Sequence, residues 1–181
     1  MTLILCGFPF SGKSFFGELV AKELDLPFID TDLVLEKLYF EQIGVRLSCR
    51  QIFHKEGEEF FRDLEHRAID TLPKNERYVV ALGGGALENS HACDILKNLG
   101  TMVYIKASKE LLLQRILETG EIPAYLDPND LSLSFESLYE KRSRLYEESA
   151  HFIVVPETCS LETTIESLCF LSSPEGKTYG E

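Results

Sequence analysis

Basic residues are scarce in this chain of 181 residues: 18 Lys and Arg stand against 30 Asp and Glu, for a formal net charge of −12. A nucleic-acid surface needs clustered cations to displace counterions, so this balance argues against that class of partner. Any site for anionic ligands must gather its few cations locally, against the field of the whole protein. Long apolar runs are missing too, and a stretch such as Val79 to Leu82 is far too short to span a bilayer. The opening Met1-Thr2-Leu3-Ile4-Leu5-Cys6 has no basic flank and leads straight into a glycine loop, so it reads as a strand and not as a secretory signal. The five cysteines form no C-x-x-C pair and the four histidines are scattered. A reduced, cytoplasmic protein without a structural metal is the expectation.

What is present is ordinary globular composition, 44% hydrophobic and 27% charged, enough for one core. No internal repeat or low-complexity linker divides the chain, which is expected to form a single domain over 1–171. The tail 172–181, with Pro174, Gly176 and Gly180, is expected to be disordered. Short apolar runs predict strands at Leu3–Cys6, Pro27–Ile29, Tyr78–Leu82, Met102–Ile105 and Phe152–Val155. Helical periodicity fills the intervals. It covers Gly12–Leu24, a segment starting near a cap at Thr31 or Asp32, and Ser48–Leu72 with a break near Gly57. It returns at Asn89–Leu99, after the cap Ser108, at about Ser132–Glu148 and at about Ser160–Leu171. Residues 119–130, with Gly120, Pro123 and Pro128, lack periodicity and predict a loop. Five strands alternating with helices imply an α/β class, a three-layer α/β/α fold around a parallel sheet. Ligands of such folds bind at the carboxyl ends of the strands.

Three features fall at those ends. Gly7-Phe8-Pro9-Phe10-Ser11-Gly12-Lys13-Ser14 matches G-x-x-x-x-G-K-[ST] between a predicted strand and a predicted helix. Such a loop wraps phosphates in backbone N–H groups at the positive end of the helix. Gly7, Ser11, Gly12, Lys13, Ser14 and the following Phe15 are therefore the expected ATP contacts. Lys13 would reach the β and γ phosphates, and Ser14 would be a Mg2+ ligand. No guanine-reading N-K-x-D segment occurs, which argues against a GTPase. The second feature is Asp30 and Asp32 after the second strand: Asp30 could hold a water of the magnesium shell, and Asp32 could accept a proton from a substrate hydroxyl or merely cap a helix. The third is Gly83-Gly84-Gly85, where an ATPase would carry a magnesium-binding acid.

With Ile52-Phe53, Gly57-Glu58, Phe61-Arg62, Glu65, Gly83-Gly84-Gly85-Ala86, Lys141-Arg142 and Leu145-Tyr146 following the loop and Asp30-Thr31-Asp32 in order, the sequence resembles the shikimate kinase family from Leu3 to about Leu171. The resemblance implies a P-loop kinase fold with a lid loop at about 119–130, and transfer of the γ-phosphoryl group of MgATP to a hydroxyl of shikimate. It implies that Arg62 and Arg142 grip the shikimate carboxylate, with Arg142 counted beside Lys13 and Asp32 among the catalytic groups. Gly83, Gly84 and Gly85 would bring N–H groups against ring hydroxyls, Phe53 would wall the pocket and Glu65 would buttress it. Guanidinium forks suit planar carboxylates, which agrees. ATP and shikimate are the implied partners of a chain expected to be a monomer with no nucleic acid or membrane.

The chain departs from the family in two places. Phe10 stands where the family usually has a further glycine, and little consequence is expected. The family's lid usually reads Arg-Pro-Leu-Leu; here the aligned segment is Ile122-Pro123-Ala124-Tyr125-Leu126, so the lid arginine is missing. Arg115 matches a family arginine near adenine and is the expected substitute cation. A kinase of another sugar acid or small metabolite, or a nucleotide-binding regulator without turnover, are the alternatives.

Overall fold

A computed structural model of the chain describes residues 1–120, 122, 123, 125–127 and 129–177. Five parallel strands, β1 (Thr2–Cys6), β2 (Phe28–Asp30), β3 (Val79–Ala81), β4 (Gly100–Ile105) and β5 (Phe152–Val154), form one sheet in the order β2-β3-β1-β4-β5. All four pairings are parallel, with Ile4 opposite Val80 on one side and Met102 on the other. β1 is buried at every position, as a central strand covered on both faces must be. Its side chains divide the core. Ile4 and Cys6 point into a cluster with Val80, Tyr104, Phe135 and Tyr146, while Leu3 and Leu5 point into one with Phe16, Val20 and Leu168.

The helices end where the local chemistry says they should. Helix α1 (Lys13–Glu23) starts from Gly12, whose φ of 97° is left-handed and suits glycine. Helix α2 (Thr31–Ile43) is capped by Asp30, which accepts from the Asp32 amide, so the cap lies one residue before the predicted pair Thr31/Asp32. Ser48 and Gln51 make a reciprocal capping box for α3 (Cys49–Glu56), and Gly57 separates it from α4 (Glu58–Asp70). Asn89 caps α5 (Ser90–Leu99), Ser108 caps α6 (Lys109–Thr119), Asp130 caps α7 (Leu131–Ser149) and Ser160 caps α8 (Leu161–Leu171). Disorder was expected from residue 172 onward. Instead Ser172 is the buried C-cap of α8 and Pro174–Lys177 forms a one-turn helix, α9; residues 178–181 lie outside the described residues.

Helices α2, α3 and α4 build a third cluster from Leu35, Tyr39, Ile52, Phe61, Leu64 and Ala68. It holds a subdomain over the carboxyl edge of β2 and β3. Among the described residues no helix is long and apolar enough to cross a membrane. All five cysteines are free thiols.

Candidate active site

The carboxyl ends of the strands open into three adjoining cavities. The first, about 300 Å3, is walled by Pro9, Asp32, Phe53, Phe61, Arg62, Glu65, Gly84, Gly85, Tyr125 and Arg142, with Cys49 and Arg50 at its α3 side. It shares Pro9, Phe10, Asp32 and Gly84 with a second cavity lined by Lys13, Ser14 and Asp30. That one shares Gly12 and Phe15 with a third, formed by Phe16, Leu111, Arg115, Pro156 and Leu161. The middle cavity sits at the N-terminus of α1, which has no side-chain cap, so its first-turn N–H groups lack a side-chain partner. That is the arrangement in which phosphate binds.

Within the loop, Gly7 passes so close to β4 that a Cβ there would lie 2.7 Å from the Ile105 carbonyl oxygen. Lys13 is buried and its Nζ donates to the Phe8 carbonyl at 2.6 Å, turned onto its own loop. Burial lowers its pKa to about 8 against the opposing pull of Asp32. Ser11 Oγ is buried without a hydrogen-bond partner among the described residues, a spare hydroxyl at the loop's inner wall. Ser14 Oγ donates to Asp30 Oδ2 at 2.7 Å. A hydroxyl and a carboxylate held side by side are hard oxygen donors of the kind Mg2+ takes, so these residues fit that ion. Phe10 has φ 66°, and a non-glycine residue there costs about 1–2 kcal/mol. Replacing the family's glycine thus has a conformational consequence that the sequence reading did not expect. Arg115 Nη1 donates to the Phe10 carbonyl at 2.5 Å, and Arg115 lines the third cavity with Phe15 rather than either of the other two.

Asp32 lies between the phosphate loop and the first cavity. Burial, and next the charge of Asp30, raise its carboxyl from 3.8 to about 7, while Lys13 pulls the other way. Gly83 is what admits it: a Cβ there would meet Asp32 Oδ1 at 2.5 Å and Glu65 Oε1 at 3.0 Å. The Gly83 amide already donates to Thr31 Oγ1 at 2.8 Å, so Gly83 is not the ligand donor expected from the sequence; Gly84 and Gly85 are the members of the triplet that line the cavity. Gly85 leaves room for Arg62, whose guanidinium would collide with a Cβ at that position.

The two expected clamp arginines arrive from opposite sides. Arg62, on α4, is partly exposed and donates to Glu65 Oε2 at 2.7 Å. Glu65 itself is only 6% exposed; burial raises its pKa and Arg62 opposes the shift. Arg142, on α7, is 2% exposed, and its Nε and Nη2 donate to Glu88 Oε1 at 2.9 and 2.7 Å. Its Nη1 is buried with no hydrogen-bond partner among the described residues. Burial works against ionisation of Glu88, yet Lys141 and Arg142 hold its carboxyl below the usual range. The described residues of the segment expected to form a lid make contacts that the sequence does not announce. Ile122 is partly buried and packs against the core, and Tyr125 lays its ring 4.8 Å from the Arg142 guanidinium carbon. Sequence reasoning missed Glu88, and it named Tyr125, Thr31 and Tyr146 without giving them a role in the site; the Tyr146 hydroxyl donates to the Gly84 carbonyl at 2.6 Å. No spacing rule marks partners that meet only in three dimensions. Glu65 and Arg142 did leave a signal, because each interrupts an apolar stripe: Phe61, Leu64, Ala68, Ile69 and Phe135, Tyr146 respectively.

A cavity with two arginines and a buried carboxylate, set against a phosphate loop, can be compared with known proteins. The family model described as "Shikimate kinase" matches residues 9–169. This chain belongs to the shikimate kinase family. A shikimate kinase of Chlorobaculum parvum is 33% identical over 172 residues, covering 92% of this chain and 89% of the relative; one from Aquifex aeolicus is 35% identical over 149 residues, covering 82% and 83%. Among solved structures, the shikimate kinase from Acinetobacter baumannii in complex with shikimate superposes with a TM-score of 0.80 at 28% identity, covering 94% of this chain and 92% of that one. The Aquifex aeolicus shikimate kinase structure gives 0.77 at 34%, with both chains fully covered. The matched residues run from inside the phosphate loop into α8 and take in β2, β3, β4 and β5.

Proposed function

We propose that this chain is a MgATP-dependent shikimate kinase. The observation that carries the reading is Arg142 Nη1, a buried guanidinium nitrogen without a hydrogen-bond partner among the described residues, at the wall of a cavity that also presents Asp32 and Arg62 beside the phosphate loop. An unpaired buried donor on a charged group is costly, and a ligand carboxylate is the natural acceptor. Glu88 takes the Nε/Nη2 edge of Arg142 and so leaves the Nη1/Nη2 edge for the ligand. Arg62 supports the same carboxylate from α4, held by Glu65.

With the carboxylate so anchored, a ring hydroxyl falls to Asp32 at the junction of the first two cavities. A carboxyl with a pKa of about 7 takes a proton readily at neutral pH. The hydroxyl oxygen forms a bond to the γ-phosphorus, its proton passes to Asp32, and the bond from that phosphorus to the β–γ bridging oxygen breaks, leaving ADP. Lys13 exchanges the Phe8 carbonyl for the phosphate oxygens and neutralises the charge spread over them. Ser14 and Asp30 would hold Mg2+, which supplies further neutralisation between the phosphates. The third cavity, with Phe15, Leu111, Pro156 and Arg115, offers the apolar walls a nucleotide base needs. Coupled measurement of ADP release with and without shikimate tests the reading. Release that depends on shikimate and yields a phosphomonoester is expected; release that shikimate does not stimulate, or that gluconate stimulates better, refutes it.

A further inference from the structure

The lid segment contains no lysine or arginine anywhere between residues 119 and 130. It cannot supply a cation to the transferring phosphoryl group, and Ile122 at the aligned position is packed against the core. What the lid does bring to the site is an aromatic face. The Tyr125 ring lies 4.8 Å from the Arg142 guanidinium carbon, and Tyr125 lines the same cavity as Arg62 and Asp32. Arg142 is thus fixed from two directions. Glu88 holds its Nε/Nη2 edge, and the guanidinium carbon lies over the Tyr125 ring, so both contacts restrain the group that carries Nη1. Burial raises the Tyr125 hydroxyl's pKa above its ordinary value, against the lowering effect of Arg142, so the ring stays a neutral phenol at physiological pH.

We infer that Tyr125 is a positioning residue for the acceptor: the lid of this chain acts through Arg142 on recognition of the substrate carboxylate, in place of neutralising phosphoryl charge. A desolvated guanidinium–aromatic contact is among the stronger of its kind. The inference rests on shikimate being the acceptor.

The test is steady-state kinetics of the full chain with shikimate and with shikimate carboxamide, which keeps the ring hydroxyls and lacks the charge. Tyr125→Leu should raise the shikimate KM by roughly 5- to 20-fold, the worth of such a contact. It should leave the ATP KM and kcat within about two- to three-fold, and Tyr125→Phe, which retains the ring, should recover most of the affinity. Against the carboxamide, Tyr125→Leu should add no penalty to whatever the wild type shows. The inference is overturned if Tyr125→Leu leaves the shikimate KM unaltered while the wild type turns shikimate over. It is equally overturned if the loss falls on kcat alone, if Phe is as poor as Leu, or if the carboxamide suffers the same penalty as the acid. Wild-type protein that neither turns over shikimate nor binds it by calorimetry overturns the functional reading itself, and this inference with it.

Discussion

Asp32→Asn keeps the shape of the side chain and removes both its charge and its capacity to take a proton, so it should move stability and turnover in opposite directions. Burial, then Asp30, raise the Asp32 carboxyl from 3.8 to about 7. One step in pKa is worth about 1.4 kcal/mol, so the ionised group costs the ligand-free fold up to roughly 4 kcal/mol at pH 8. The amide must be desolvated as well, at about 1–3 kcal/mol, which leaves a net gain of about 1–3 kcal/mol. For a chain of this size that is roughly 2–12 °C in Tm. The sign follows from linkage. The folded pKa lies above the unfolded one, so the wild type is stabilised by the bound proton at low pH and loses that contribution as pH rises through about 7. The Tm advantage of Asp32→Asn should be smallest, or reversed, near pH 5 and reach a plateau above pH 7. Shikimate-dependent kcat should fall by roughly 10²-fold or more over the same range, because the proton acceptor is gone. Thermal unfolding at a series of pH values, with turnover measured on the same samples, reads both. A Tm difference that is flat with pH refutes the account of Asp32 as a buried, strained carboxylate, and wild-type kcat refutes its role as base.

Three further outcomes are expected. Arg142→Ala removes the buried cation and leaves Glu88 paired with Lys141 alone, and should weaken shikimate binding by about 2–5 kcal/mol with little effect on ATP; an unchanged shikimate KM would falsify the clamp. Gly85→Ala places a methyl group in the space of the Arg62 guanidinium, so it should displace that arginine and raise the shikimate KM by about 10-fold or more, read against an unchanged ATP KM. Arg115→Ala frees the Phe10 carbonyl and opens the third cavity; a rise of a few-fold in the ATP KM is expected from loss of one exposed charge-assisted hydrogen bond. If the shikimate KM moves and the ATP KM does not, Arg115 has been assigned to the wrong substrate.

The sequence by itself determined the elements and most of the chemistry, because both are local. The glycine loop declares itself in eight consecutive residues, the caps Ser48, Asn89, Ser108 and Ser160 sit where helical periodicity begins, and continuous apolar runs mark strands buried on both faces. Asp30, Asp32 and the glycine triplet announced a site because they fall at strand ends, where a parallel fold must converge. Tertiary structure decided who holds whom. That Asp30 and not Asp32 caps α2 depends on one amide's direction, and that Gly83 spends its N–H on Thr31 depends on a residue 52 positions away. The contacts of Arg142 with Glu88 and Tyr125 join the segment after β3, the segment between α6 and α7, and α7 itself, which the sequence holds far apart. Phe10 shows the same division: its identity is plain in the sequence, but the strain it carries exists only in the φ of 66° that closing the loop around a phosphate site imposes.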